Sequence, residues 1–275
     1  MITKKSNIAI LGCGWLGLPL AKELVKQGFS VNGSTTDTLK LDQIRNVGAK
    51  AFIVSLNPEL NDDFDDSFLK CNILILNFPP HRREDIVEYH KKQYEALIQK
   101  IESSTVKHIL MVSSTSVYPS NNKVVVESDA KNPEKGSGEA LLIVEDLLQN
   151  IENRKTTIVR FGGLIGYDRN PARFLAGKTN LKDGNSPINL IHRDDCIAII
   201  SEIIKQEKWG EIYNACCDEH PSRKEFYTLA AQKSGFAIPE FVDDESSKQY
   251  KIIDSSKLKK ELAYTFKYKC PLECL

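Results

Sequence analysis

Gly12, Gly14 and Gly17 stand at a spacing that can do chemistry without any reactive side chain. They follow an apolar run, residues 8–11, and open an amphipathic stretch, residues 15–27, that Gly28 stops. Strand, glycine turn and helix in that order gather unpaired backbone N–H groups at the positive end of a helix, which suits a diphosphate. Gly12 permits the tight turn, Gly14 lets the backbone approach the phosphates, and Gly17 lets helix pack on strand. The backbone from Gly12 through Trp15 and Leu16 to Gly17 is thus the expected cradle for a dinucleotide.

The end of the second strand chooses between dinucleotides. A site selective for NAD places Asp or Glu there, against the ribose 2′-hydroxyl. Here a short run, residues 30–34, leads into Ser34, Thr35 and Thr36, and Asp37 comes late. Hydroxyls do not repel a 2′-phosphate, so NADP is favoured over NAD. No arginine stands at that spot, and Lys40 is the nearest cation.

The elements that must carry these residues are legible as short apolar runs alternating with amphipathic stretches. Residues 8–11, 30–34, 51–54, 73–76, 108–112 and 156–159 read as strands, with helices over 85–101 and 139–151. The runs are almost wholly apolar, as strands covered on both faces should be. The expected fold is α/β: a Rossmann-type, doubly wound parallel sheet. After Arg160 glycines and prolines crowd together, giving an irregular stretch. Helices over 194–205, 222–233 and 255–262 and a strand near 212–213 follow. The division expected is an NAD(P)-binding domain over 1–160 and a small C-terminal α/β substrate lobe over 161–275, interleaved with the end of the core. The acidic cluster Asp62, Asp63, Asp65 and Asp66 reads as a solvated loop and helix start.

Composition narrows the classes. Lys+Arg and Asp+Glu are 37 each in 275 residues, which leaves no basic footprint for nucleic acid or an anionic membrane. Residues 1–8 lack the apolar run of a signal peptide and enter the first strand directly, and no segment is long enough to span a bilayer. Seven cysteines form no CxxC pair and stand at no zinc-like spacing to the five histidines. A cytoplasmic protein with reduced thiols and no metal is expected; a homo-oligomer is left open.

Taken in order, four further stretches resemble one superfamily. Met111-Val112-Ser113-Ser114-Thr115-Ser116-Val117-Tyr118 is similar to an SS-x-x-VY strand end, and Arg160 to Gly166 to the R-x-x-x-x-x-G crossing into a substrate lobe. Asn189-Leu190-Ile191-His192-Arg193-Asp194-Asp195 is similar to N-x-I-H-V-x-D, and Tyr213-Asn214 to its YN strand. With the glycine turn, they make the chain resemble an atypical, extended short-chain dehydrogenase/reductase of the NAD-dependent epimerase/dehydratase kind. The resemblance implies hydride transfer between nicotinamide and a small substrate, with Ser114 on the substrate oxygen. It also implies a Tyr-x-x-x-Lys pair, which this chain lacks: none of its nine tyrosines has a lysine four residues on. Aligned on Pro133, Gly138 and Glu145, Ser137 takes the Tyr position and Leu141 the Lys position. Tyr118 becomes an alternative proton donor, and Ser114 either serves the substrate or caps the strand end.

Other candidates lie where open α/β sheets bind ligands. His81, Arg82 and Arg83 follow the fourth strand, as proton donor or phosphate contacts or as a solvated basic loop. Arg169, Arg173 and Lys178 could grip an anionic or sugar-like substrate. His192 resembles a substrate-side residue, and Asp195 an N-cap or structural anchor. Two functional expectations follow. One is an NAD(P)-dependent oxidoreductase, or an epimerase or dehydratase acting through transient oxidation, with an unusual proton donor. The other is a non-catalytic NAD(P)-sensing or scaffold protein.

Overall fold

In the computed structural model residues 6–242 and 249–275 are described. Residues 1–5, expected above to lead straight into the first strand, lie outside them. Alternation along β1 (Asn7–Leu11) shows how both sheet faces are filled: Ile8 and Ile10 point to one side, Ala9 and Leu11 to the other. The chain continues through α1 (Gly17–Lys26), β2 (Ser30–Thr35), α2 (Leu41–Asn46), β3 (Lys50–Ile53) and β4 (Ile73–Leu76). Next come α3 (Ile86–Glu102), β5 (His108–Ser114), β6 (Lys123–Val125), α4 (Gly136–Gln149), β7 (Lys155–Phe161) and β8 (Gly163–Ile165). The last part runs β9 (Leu190–His192), α5 (Arg193–Lys205), β10 (Ile212–Ala215), α6 (Arg223–Ser234), β11 (Lys251–Ile253) and α7 (Ser256–Leu262).

Seven strands form one parallel sheet in the order β10-β7-β5-β4-β1-β2-β3. Leu20 and Leu24 of α1, Ile199 and Ile203 of α5 and Leu258 of α7 pack with Ile8 and Ile10. Tyr94 and Leu97 of α3 and Val144 and Leu148 of α4 pack with Ala9 and Leu11. The sheet is therefore doubly wound, as expected from its apolar strands. The order reverses between β1, which continues to β2 and β3, and β4, which continues the other way. At that switch the carboxyl ends of neighbouring strands part and leave a crevice. The glycine turn sits there.

Several boundaries differ from the sequence expectation. Helix α1 begins at Gly17, not at residue 15, because Trp15 and Leu16 complete the turn and Leu16 is its N-cap. Helix α4 begins at Gly136, three residues early, although glycine is a poor helix former. Tertiary packing overrides propensity: a Cβ at Gly138 would lie 2.3 Å from Ser116 O. The stretch after Arg160 is not all irregular, since β8 pairs with β9, and β6 pairs with β11 far along the chain. Asp65 caps a 3-10 turn, Asp66–Leu69, where a helix start was expected. All seven cysteines are free, and all but Cys274 are buried. Among the described residues no helix is long and apolar enough to cross a membrane.

Candidate cofactor and substrate site

The glycine turn is held from both sides. Gly12 N–H donates to Ser34 Oγ at 3.1 Å, Cys13 N–H donates to Ser34 O at 2.8 Å, and Asn77 Nδ2–H donates to Gly12 O at 2.8 Å. Gly12 has φ +105°, and a Cβ there would stand 2.4 Å from Asn77 O. A Cβ at Gly17 would stand 2.1 Å from Gly12 O. Gly14 is different: a Cβ there would meet nothing within 4 Å. Two glycines are needed for packing and the third leaves open space above the turn, which is what a dinucleotide's diphosphate requires. Helix α1 has no side-chain cap and no acidic residue in its first turn, so its positive end is not neutralised by the protein. Burial pushes the Cys13 thiol up to about 12, so it stays protonated, and its sulfur packs under Gly33.

Two clefts meet over this turn and share Gly14, Asn77, Phe78 and Pro79. The smaller, about 260 Å3, is lined by Ser34, Thr35, Thr36, Lys40 and His81. Asp37 is turned away from that lining: its carboxylate accepts from Leu39 N–H and lies 3.8 Å from Lys40 Nζ. The larger cleft, about 560 Å3, is lined by Trp15, Ser114, Ser116, Ser137, Leu141 and Arg169, among others. One cleft on each side of a diphosphate cradle matches the two halves of a dinucleotide.

Ser114 faces the larger cleft and also caps the turn after β5, its Oγ accepting from Ser116 N–H at 3.1 Å. That bond occupies a lone pair and leaves the hydroxyl proton to donate. Ser137 and Leu141, at the positions of the missing pair, line the same cleft. Tyr118 does not join them. It is fully buried, its O–H donates to Asn214 Oδ1 at 2.6 Å, and it accepts from Arg160 Nη1 at 2.8 Å. Burial pushes its pKa up to about 12, so it stays protonated, and its hydroxyl is bonded inside the fold and not at the cleft.

His192 is also drawn into the fold. Its Nδ1 accepts from Asp194 N–H, which makes it the N-cap of α5, and its ring packs against Tyr167 and Tyr268. Asp195 is an anchor, not the cap: fully buried, it accepts from Tyr264 O–H, Lys267 N–H and Tyr268 N–H. Arg83 is tied to Asp85 and stacked over Tyr89, and exposed Arg82 lines neither cleft. Arg173 and Lys178 likewise lie off both linings. His81 and Arg169 are brought to the site, one at each cleft.

Sequence reasoning missed two groups. Asn77 fixes the glycine turn; its only signal is its place directly after the apolar β4 run. Glu145 served as an alignment anchor, yet it forms a buried ion pair with Arg160, Nη2 to Oε2 at 2.6 Å, and accepts from Ser113 O–H. Ser113 also borders the larger cleft, so this pair braces its floor.

A family described as NAD(P)H-binding matches residues 12–207. The chain belongs to that family. Protein YeeZ of Escherichia coli (strain K12) is 35% identical over 268 residues, 97% of each chain. Among solved structures, UDP-glucuronic acid 4-epimerase from Bacillus cereus, in complex with UDP-glucuronic acid and NAD, is similar with TM-score 0.78 and 19% identity over 98% of this chain and 96% of that one. UDP-glucose 4-epimerase from Thermotoga maritima gives 0.76 and 18%, covering 97% of both chains. These likenesses establish the epimerase/dehydratase-like Rossmann fold of this NAD(P)H-binding member.

Proposed function

We propose that the chain is an NADP-dependent oxidoreductase of the epimerase/dehydratase-like kind, acting on a small sugar-like or anionic substrate without a Tyr-x-x-x-Lys pair. The observation that carries this reading is the 560 Å3 cleft that continues from the glycine cradle into a row of serine hydroxyls. The Gly12 to Gly17 backbone and the α1 N-terminus would hold the diphosphate. Thr35, Thr36 and Lys40 support a 2′-phosphate, because hydroxyls and a cation replace the carboxylate that would repel it. Bound nicotinamide supplies a hydride acceptor or donor.

The protein's own part is to bind and orient. Ser114 donates its free hydroxyl proton to the substrate oxygen, and Ser137 offers a second hydroxyl from α4. Both favour the oxygen as its charge grows. Among the described residues the one charged side chain on this lining is Arg169, and none of its side chains is a histidine or carboxylate that could exchange the proton. Water entering the open cleft takes that role.

The test is consumption of NADPH with a panel of aldehydes, ketones and simple sugars. Turnover is expected for at least one class, with kcat/KM flat between about pH 6 and 9, since no lining acid or base titrates there. Ser114→Ala should lower kcat about 10²-fold. An unchanged rate removes Ser114 from the reaction. A second reading, a cofactor-sensing or scaffold protein, is favoured by the sealed Tyr118 phenol and the apolar Leu141 at the cleft. Tight NADPH binding with no turnover across the panel would select it.

A further inference from the structure

Trp15, inside the glycine turn, is gripped by the segment that follows β8. Its indole N–H donates to Asp168 Oδ1 at 2.7 Å, and the guanidinium groups of Arg169 and Arg193 each lie 4.7 Å from its ring centroid. Arg193 is spent on the fold: it donates to Trp15 O at 3.2 Å and stacks over Tyr167 at 4.0 Å. Arg169 is not. Among the described residues its guanidinium has the Trp15 ring as partner and no carboxylate, and it is the single charged side chain on the larger cleft. A stacked guanidinium keeps its planar fork of donors aimed and ready for a bidentate oxyanion.

The same cleft is also lined by Ser114 and Ser137, and by the apolar Phe78, Pro80, Val112 and Leu164. We propose that this cleft selects a compact anion of monosaccharide size or smaller, its carboxylate or phosphate ester paired with Arg169 and its hydroxyl or carbonyl oxygen presented to Ser114, and that it rejects nucleotide sugars. The proposal rests on the reading above that the same cleft receives nicotinamide. Two observations carry it. The 560 Å3 must be shared between the nicotinamide half and the substrate, which favours a compact substrate over one carrying a second nucleotide. One guanidinium also matches one anionic group, whereas a nucleotide diphosphate brings two phosphates to a lining with no further cation among the described residues.

The test is calorimetric titration of the full chain, saturated with NADP+, using gluconate, glucose 6-phosphate, glucose and UDP-glucose as probes. At least one of the two compact anions should bind, at least tenfold more tightly than glucose or UDP-glucose. The choice between them tells carboxylate from phosphate. Arg169→Gln should weaken that anion tenfold or more and change NADP+ affinity less than threefold. Arg169 is exposed, so the variant should fold, with its unfolding midpoint as the control. UDP-glucose binding as tightly as the better anion, no binding of either anion, or an Arg169→Gln variant with unaltered anion affinity would each overturn the proposal. Loss of NADP+ affinity in that variant would overturn it too, placing Arg169 on the cofactor. If wild-type protein fails to bind NADP+ at all, the functional reading above falls with it; if NADP+ binds and the anions do not, only this proposal falls.

Discussion

Gly14→Val is expected to leave the unfolding midpoint of the free protein within about 2 °C of wild type while weakening NADPH binding about 100-fold or more, near 2.7 kcal/mol. The reason is geometric. A Cβ at Gly14 would meet no heavy atom beyond its chain neighbours within 4 Å, so a side chain there should cost the fold little while filling the space a diphosphate needs. Gly17→Ala is the contrasting case. Its Cβ would lie 2.1 Å from the carbonyl oxygen of Gly12, a backbone atom pinned by Asn77. Overpacking of that kind costs about 3 kcal/mol, on the order of 10 °C for a chain of this size. The pair of variants separates cradle from scaffold. If Gly14→Val bound NADPH as wild type does, the diphosphate would not lie on this turn.

Removing one partner of the buried Arg160–Glu145 pair should be the most destabilising single change among the site's supports. Both side chains are almost wholly buried, at 4% and 3% exposure, and Glu145 also takes the Ser113 hydroxyl. Arg160 in turn donates to Tyr118 Oη and Glu127 O, tying β5, β7, β10 and α4 together through Asn214. Glu145→Leu strands a guanidinium in the interior, a loss of about 3–5 kcal/mol. Urea unfolding should show it as a large fall in midpoint. The double variant Glu145→Leu/Arg160→Met removes both charges and should recover part of the loss, because the cost lies in the unpaired ion and not in the missing attraction. A single variant within 1 kcal/mol of wild type would mean the interior accommodates the charge without the pair.

Much of the fold was legible because parallel strands buried on both faces must be apolar along their whole length. Residues 8–11, 73–76 and 108–112 announce themselves in that way, and the glycine turn follows directly from the first of them. The small pairings were not legible. Lys123 meets Lys251 and Gly163 meets Leu190, and three-residue strands with partners so distant leave no local period to read. The gathering of residues at the candidate site was legible where backbone or motif decides, at Gly12, Gly14, Gly17, Ser34 and Ser114, which all line the two clefts or hold the turn between them. It was not where side-chain direction decides. Tyr118 and Ser114 sit four residues apart in one motif, yet the turn Thr115–Val117 sends the phenol inward to Asn214 and leaves the serine at the cleft. Glu145 looks like an ordinary helical carboxylate until Arg160 is seen beside it.

The central claim is that the glycine turn holds NADP in preference to NAD, and nicotinamide fluorescence measured as NADPH and NADH are titrated into wild-type protein tests it most directly. Saturable binding of both is expected, with NADPH tighter by about tenfold, roughly 1.4 kcal/mol. Tighter binding of NADH would contradict the preference drawn from Thr35, Thr36 and Lys40, and no saturable change with either nucleotide would contradict the site itself.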